Sequence, residues 1–254
     1  VKRATADKMP FLEHLGELRV RIMRALIGVI IGLVIAFPAS KPVMLWLSRP
    51  IRQMNQDVVF LAVTEAFWVQ MKVALMLAMF LAAPWILWQV WAFISPGLYS
   101  QEKKYAAPFV IIGSLMFIAG GAFSLLVVTP NAVKFLLSFG TEAGLKPMIS
   151  IGSYIDFLLK FTLAFGAVFE VPIGLTLASR MGLVTPKSLA KNRKYAVLGA
   201  FIAAAVLTPT PDMVNQSLMA GPIIVLYEVG ILSARIFGRR RQAAGVVAEA
   251  ERPA

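Results

Sequence analysis

Residues 106–128 read AAPFVIIGSLMFIAGGAFSLLVV, a run without one charged side chain. About 20 predominantly apolar residues in a helix are enough to cross the hydrocarbon core of a bilayer. Gly113, Gly120 and Gly121 in this run are small residues that let neighbouring helices approach closely. Working outward, further apolar segments occupy 22–37, 67–94, 154–178, 195–208 and 213–234. The fold class that follows is all-α, a polytopic membrane protein with six transmembrane helices.

The composition agrees. Hydrophobic residues make up 59% of the chain and charged residues only 15%, and the mean hydropathy is +0.76. A soluble domain lies nearer 45–50% apolar and about 25% charged. The excess is gathered in blocks, which points to one membrane domain over 1–237, with a polar, disordered cytoplasmic tail expected at 238–254. No cleavable signal peptide is expected, because the first apolar block follows an acidic-basic stretch and lacks a small-residue cleavage site after it. Cysteine is absent and His14 is the one histidine, so no disulfide framework, metal site or cofactor is expected.

The net charge of +12 sits beside the apolar blocks, as a topology signal does, and does not suggest a nucleic-acid partner. One side of the membrane collects Lys2, Arg3, Lys8, Arg19, Arg21 and Arg24, the loop residues Lys103 and Lys104, then Arg180, Lys187, Lys191, Arg193 and Lys194, and finally Arg235, Arg239, Arg240, Arg241 and Arg252. The other side has Lys41, Arg49, Arg52, Lys134 and Lys146. Both termini are therefore expected in the cytoplasm.

Interruptions refine the segments. The first is expected to stop at Pro38, with Val43, Leu45, Trp46 and Leu47 forming a separate helix on the membrane surface. Pro84 predicts a kink in the second. Thr129-Pro130 reads as the N-cap and first residue of a short helix ending near Gly140. The fifth segment covers only ~21 Å of a ~30 Å core. No internal repeat is visible, which weighs against a repeat-built transporter.

Several polar positions have two readings. Phe11, Leu15, Leu18 and Ile22 share one face of an amphipathic helix, with Glu13, Glu17, Arg21 and Arg24 on another. Glu17 is either an i,i+4 partner of Arg21 or a carboxylate open to a cationic ligand. Glu102, near the start of the third span, is either a helix-dipole partner or a second such carboxylate on the same face. Two carboxylates there suit guanidinium groups, which bind bidentately. Glu170 lies within a span, followed by Pro172, and is either a hydrogen-bonded buried carboxyl or a functional intramembrane acid. Thr208-Pro209-Thr210-Pro211-Asp212 forms a tight outer turn in which Pro209 and Asp212 are structural, while Thr208 and Gln216 place polar groups where a partner helix can bond. No nucleophile with a base is present, so no enzyme is expected. A proton-coupled small-molecule secondary transporter using Glu170 is the alternative.

The helix from Phe11 to Arg21, the loop FISPGLYSQEKKY at 93–105, FGAVFEVP at 165–172 and LTPTPD at 207–212 occur together in this order. In this the chain resembles the TatC family, the signal-peptide receptors of twin-arginine protein export, over about residues 10 to 237. Gln101 departs from the family pattern, where many members have His.

The resemblance implies a cup-shaped six-span protein of the bacterial cytoplasmic membrane. It implies that Glu17 and Glu102 accept the twin-arginine signal peptide of a folded cargo protein, with Arg19 and Phe93 shaping the site. It implies Glu170 as the intramembrane functional acid, and Thr208 and Gln216 as contacts for the single-span proteins TatA and TatB. It further implies a homo-oligomer within a larger complex, embedded in membrane lipid, that moves cargo with the protonmotive force and hydrolyses nothing.

Overall fold

The computed structural model describes residues 11–53, 58–95, 106–142, 144, 146–207 and 213–237. The tail 238–254 and the positions of Glu102, Thr208, Pro209 and Asp212 lie outside the described residues. The described residues are helical almost throughout. Helix α1 spans Phe11–Leu47, α2 Arg49–Gln53, α3 Glu65–Ile94, α4 Ala106–Phe123, α5 Thr129–Glu142, α6 Ile151–Phe169, α7 Val171–Arg180, α8 Pro186–Lys191, α9 Arg193–Leu207 and α10 Met213–Phe237. Two short strands, β1 (Val58–Val59) and β2 (Ile149–Ser150), pair in parallel.

Five stretches among the described residues are long and apolar enough to cross a membrane: His14–Gln53, Glu65–Ile94, Ala106–Glu142, Ile151–Arg180 and Gln216–Phe237. The remaining expected span is α9, whose 15 residues reach only ~22 Å at 1.5 Å per residue. The polytopic all-α class holds, with one expected span shorter than the others.

Three boundaries differ from the sequence reading. The first helix does not stop at Pro38; α1 continues through Pro38 and Pro42 to Leu47, so the expected surface helix is its last turns. Proline's fixed φ is itself helical, and its penalty is the missing donor to the residue four before it. Ser40 and Ser48, both buried, donate to the carbonyls of Phe37 (2.6 Å) and Leu45 (3.0 Å), adding side-chain bonds along this weakened stretch. Nor is Thr129 an N-cap. Its backbone is helical (φ −61°, ψ −46°), and a five-residue π turn, Ser124–Val128, joins α4 to α5 without a break. Pro130 brings no N–H and crowds the preceding turn, and the wider π turn accommodates it. Finally, the fourth segment is two helices, α6 and α7, separated at Glu170.

The chain divides into two compact units, 1–166 and 167–254. In the first, α1 lies along α3. A Cβ on Gly32 would stand 3.0 Å from the carbonyl oxygen of Ala78, so the two backbones are in contact through a residue with no side chain. Trp85 lies over Gly28, and its Nε1 donates to the carbonyl of Arg24 (2.8 Å). Where the spans end, Leu47, Ile51, Val69, Val73, Tyr154, Ile155 and Leu158 form a buried cluster from α1, α2, α3 and α6. The Tyr154 hydroxyl donates to the Leu47 carbonyl (3.0 Å) within it.

Glu65 fixes the loops above that cluster. Its Oε2 accepts from the backbone N–H of Leu61 and of Ala62 (3.3 Å); its Oε1 accepts from the Ser150 hydroxyl and the Gly152 N–H (2.7 Å). One carboxylate thus ties the segment before α3 to the start of α6, across the pairing of Val58 with Ile149.

In the second unit α7 packs on α10. A Cβ on Gly230 would meet Pro172 Cα at 3.3 Å. Gly182, with φ +76°, closes the end of α7 in a conformation that suits glycine. Thr185 then caps α8, its hydroxyl accepting from Ser188 N–H (3.1 Å), with Pro186 following at the first helical position.

Replacing Gly32 by Leu should destabilise the protein by about 1–3 kcal/mol through overpacking, read as a lower Tm in detergent, whereas Gly199→Leu, where no atom lies within 4 Å of the added Cβ, should leave Tm nearly unchanged. Glu65→Ala should speed hydrogen exchange at the amides of Leu61, Ala62 and Gly152 by roughly tenfold or more, as their common acceptor is lost.

Candidate functional site

Two groups of polar side chains stand out, one in each unit. The first sits at the start of α1. Glu17 and Arg21 are one helical turn apart, and Arg21 Nη2 donates to Glu17 Oε1 at 3.1 Å. Arg21 Nη1 reaches Gln89 Oε1 of α3 at 3.5 Å, a long contact to a side chain only 3% exposed. The pair is not fully satisfied. Glu17 Oε2 and Arg21 Nε are both buried with no hydrogen-bond partner.

Beside this pair, His14 stacks on Phe93, with centroids 4.4 Å apart and rings 18° from parallel. The contact fixes the beginning of α1 against the end of α3, directly before the loop that carries Glu102. Arg19 lies two residues from Glu17 on an exposed part of α1 and makes no side-chain bond among the described residues. The structure therefore brings Glu17, Arg21, Gln89, His14 and Phe93 together and leaves Arg19 outside that group.

The second group surrounds Glu170, which takes the position before α7 with helical torsions (φ −76°, ψ −14°) and no side-chain capping bond. The backbone continues through it: its N–H donates to Ala167 (3.1 Å) and its carbonyl accepts from Gly174 (2.9 Å). Its Oε1 is buried without a partner. Nearby, the Pro172 carbonyl accepts from the Thr176 hydroxyl (2.7 Å), and Thr176 and Ser233 share a hydrogen bond of 2.6 Å. A polar patch thus bridges α7 and α10 one turn beyond Glu170.

Helices α9 and α10 are joined at two levels. Arg193 makes a bidentate pair with Glu228 (2.6 and 2.7 Å). Further along, the Gln216 amide donates to the Phe201 carbonyl (3.1 Å). The donor expected to be offered to a partner helix is therefore engaged within the unit. The Tyr227 hydroxyl adds a bond to Leu189 of α8 (3.0 Å).

Sequence reasoning passed over Glu65, Gln89, the Arg193–Glu228 pair and an ion pair between Lys72 of α3 and Asp156 of α6 (2.6 Å). A signal existed for Gln89, Lys72 and Asp156, each a polar residue in a largely apolar helix. Such residues require partners, but nothing in the sequence says which.

The family model described as "Sec-independent protein translocase protein (TatC)" matches residues 13–222. A TatC of Desulforapulum autotrophicum is 42% identical over 238 residues, covering 92% of this chain and 87% of that protein. A TatC of Escherichia coli is 37% identical over 242 residues, covering 93% of each. A crystal structure described as the twin arginine translocase receptor TatC superposes with a TM-score of 0.79 at 38% identity, over 89% of this chain and 100% of that one. These relatives are named as protein translocase components, and the small-molecule transporter alternative gains no support from them.

A double-mutant cycle of Arg193→Gln and Glu228→Gln should give a small favourable coupling that weakens as salt is added, because the pair is bidentate but exposed. Thermal unfolding of the four proteins in detergent measures it.

Proposed function

The chain belongs to the TatC family of Sec-independent protein translocase proteins, and from that premise we propose that it is the receptor that binds twin-arginine signal peptides. The site lies at the start of α1 together with the loop after α3. The observation that carries the reading is the buried, unpartnered Oε2 of Glu17. A carboxylate oxygen removed from water without a donor costs free energy, and a ligand bringing N–H donors recovers it. A guanidinium supplies such donors in a planar fork, and Arg21 already occupies the other oxygen in this way. Glu102 supplies the second acceptor on this proposal, so that two adjacent arginines each meet one carboxylate.

Phe93, held by His14, forms the apolar edge of the site, and Arg19 screens it from unrelated cations. The distribution of Lys and Arg supports placing this end of the molecule in the cytoplasm, with both termini, in the cytoplasmic membrane of a bacterium. Glu170 serves as the intramembrane acid, and its unpartnered oxygen supports contact with a polar group of the inserting signal peptide or a partner helix. Thr208 and the outer end of α10 around Gln216 receive the single spans of TatA and TatB, and Pro209 and Asp212 hold the turn that presents them. Several copies assemble with these partners, and the protonmotive force drives transport of folded cargo. The chain itself binds and organises; it performs no catalysis.

A synthetic twin-arginine signal peptide should bind the purified protein and lose roughly 10–100-fold in affinity on Glu17→Ala or Glu102→Ala, as expected for one charged hydrogen-bonded contact. A twin-lysine peptide should bind the wild type correspondingly weakly. Equal binding of the two peptides, or affinity unaltered by both substitutions, would remove the site from these carboxylates.

A further inference from the structure

At the opposite end of the apolar runs 22–37 and 106–128 from Glu17, the first unit encloses a cavity of about 510 Å³. It opens between the end of α1, α2, the π turn and the start of α5. Its polar wall carries Arg49, Gln53, Lys134 and Thr129, and its apolar wall includes Leu125 and Leu126 of the π turn. Among the described residues, no carboxylate lines it. Arg49 and Lys134 are both exposed, and neither takes part in an ion pair among the described residues. They are two of the five cations read on this side of the membrane, so their convergence on one cavity concentrates charge where the chain otherwise carries little.

The Thr129 side chain adds an independent sign. It is 2% exposed, and its hydroxyl is buried with no hydrogen-bond partner. Buried hydroxyls are nearly always satisfied, and Thr129 is one of the residues around the cavity. The π turn produces the opening: Pro130 forces the wider turn, and such turns often mark functional positions. Leu126 then stands 68% exposed at the rim, where lipid chains would run.

We propose that this cavity binds one anionic phospholipid of the surrounding leaflet. The headgroup phosphate lies between Arg49 and Lys134, and the Thr129 hydroxyl turns toward the cavity to donate to an ester or phosphate oxygen. The volume suits a glycerophosphate headgroup and the first part of an acyl chain. The rest of the chain continues over Leu126 into the bilayer. Two cations, an apolar wall and a position at the membrane surface together select an amphiphile carrying net negative charge; a zwitterionic lipid brings an ammonium into the same positive site.

The test is native mass spectrometry of the full chain in a neutral detergent, titrated with dioleoylphosphatidylglycerol and, in parallel, dioleoylphosphatidylcholine. The wild type should retain one phosphatidylglycerol with a roughly tenfold or greater preference over phosphatidylcholine, from two cations near a membrane surface. Arg49→Gln combined with Lys134→Gln should abolish the preference at unchanged Tm, each single substitution should reduce it in part, and Lys41→Gln should keep it. Equal binding of the two lipids, a preference surviving the double substitution, or an equal loss in Lys41→Gln would overturn the proposal. Displacement of the lipid by glycerol 3-phosphate at equal concentration would also overturn it, by showing a site for a free anion.

Discussion

A backbone amide inside hydrocarbon has no water to bond, so every N–H and C=O there must find a partner within the protein. That constraint explains the shapes of the helices better than local propensity does. Prolines recur through the spans, at 38, 42, 84, 130, 172 and 222, and each removes a donor. The chain answers in different ways. At Pro38 and Pro42 the helix runs on, with serine hydroxyls bonding nearby carbonyls. At Pro130 it widens into a π turn. At Pro172 it divides at Glu170, and the Thr176 hydroxyl donates to the Pro172 carbonyl just beyond the break. The latter two adjustments each lie beside an unpartnered polar group, Thr129 in one case and Glu170 in the other.

Charge obeys a related economy. Hydrocarbon around a helix bundle gives no hydrophobic drive for helices to associate, so close packing and polar links must hold them. Gly32 against Ala78 supplies the first kind. Lys72–Asp156 and Arg193–Glu228 supply the second, each linking two helices as a net-neutral pair. Arg49 and Lys134 are not neutralised in this way among the described residues, which is why they, rather than the paired ions, point to something outside the chain.

The span pattern was legible because it depends on hydropathy over some 20 residues, a signal that survives local irregularity. Segments 67–94 and 213–234 match α3 and α10 within a few residues. Legibility failed where one residue was given a single meaning. Pro38 read as a stop because proline ends helices in water, whereas here the alternative to a weakened helix is unbonded backbone in lipid. Thr129 read as a cap because threonine followed by proline commonly is one, but capping needs a non-helical residue and this backbone never leaves the helix. Glu17–Arg21 was visible as an i,i+4 pair; its contact with Gln89 was not, because the residues are 68 apart in sequence. The same holds for Glu65 and Ser150. The family motifs at 93–105 and 207–212 carried the resemblance, and most of their residues lie outside those described.

Glu65 and Glu17 show what the sequence could not separate. Both are glutamates near the beginning of a long helix, and charge near a helix N-terminus accounts equally for either. Their surroundings differ in how far each carboxylate is satisfied. Glu65 accepts from three backbone amides and a hydroxyl, so its acceptor capacity is spent on the fold. Glu17 spends one oxygen on Arg21 and leaves the other buried and unbonded. A half-satisfied buried network is costlier than a complete one or none. If Glu17 served stability alone, a neutral side chain at that position would avoid the cost altogether. On the proposal that Glu17 receives a signal-peptide arginine, the unbonded oxygen is capacity held for that ligand, and Arg21 is a sample of the chemistry the ligand brings.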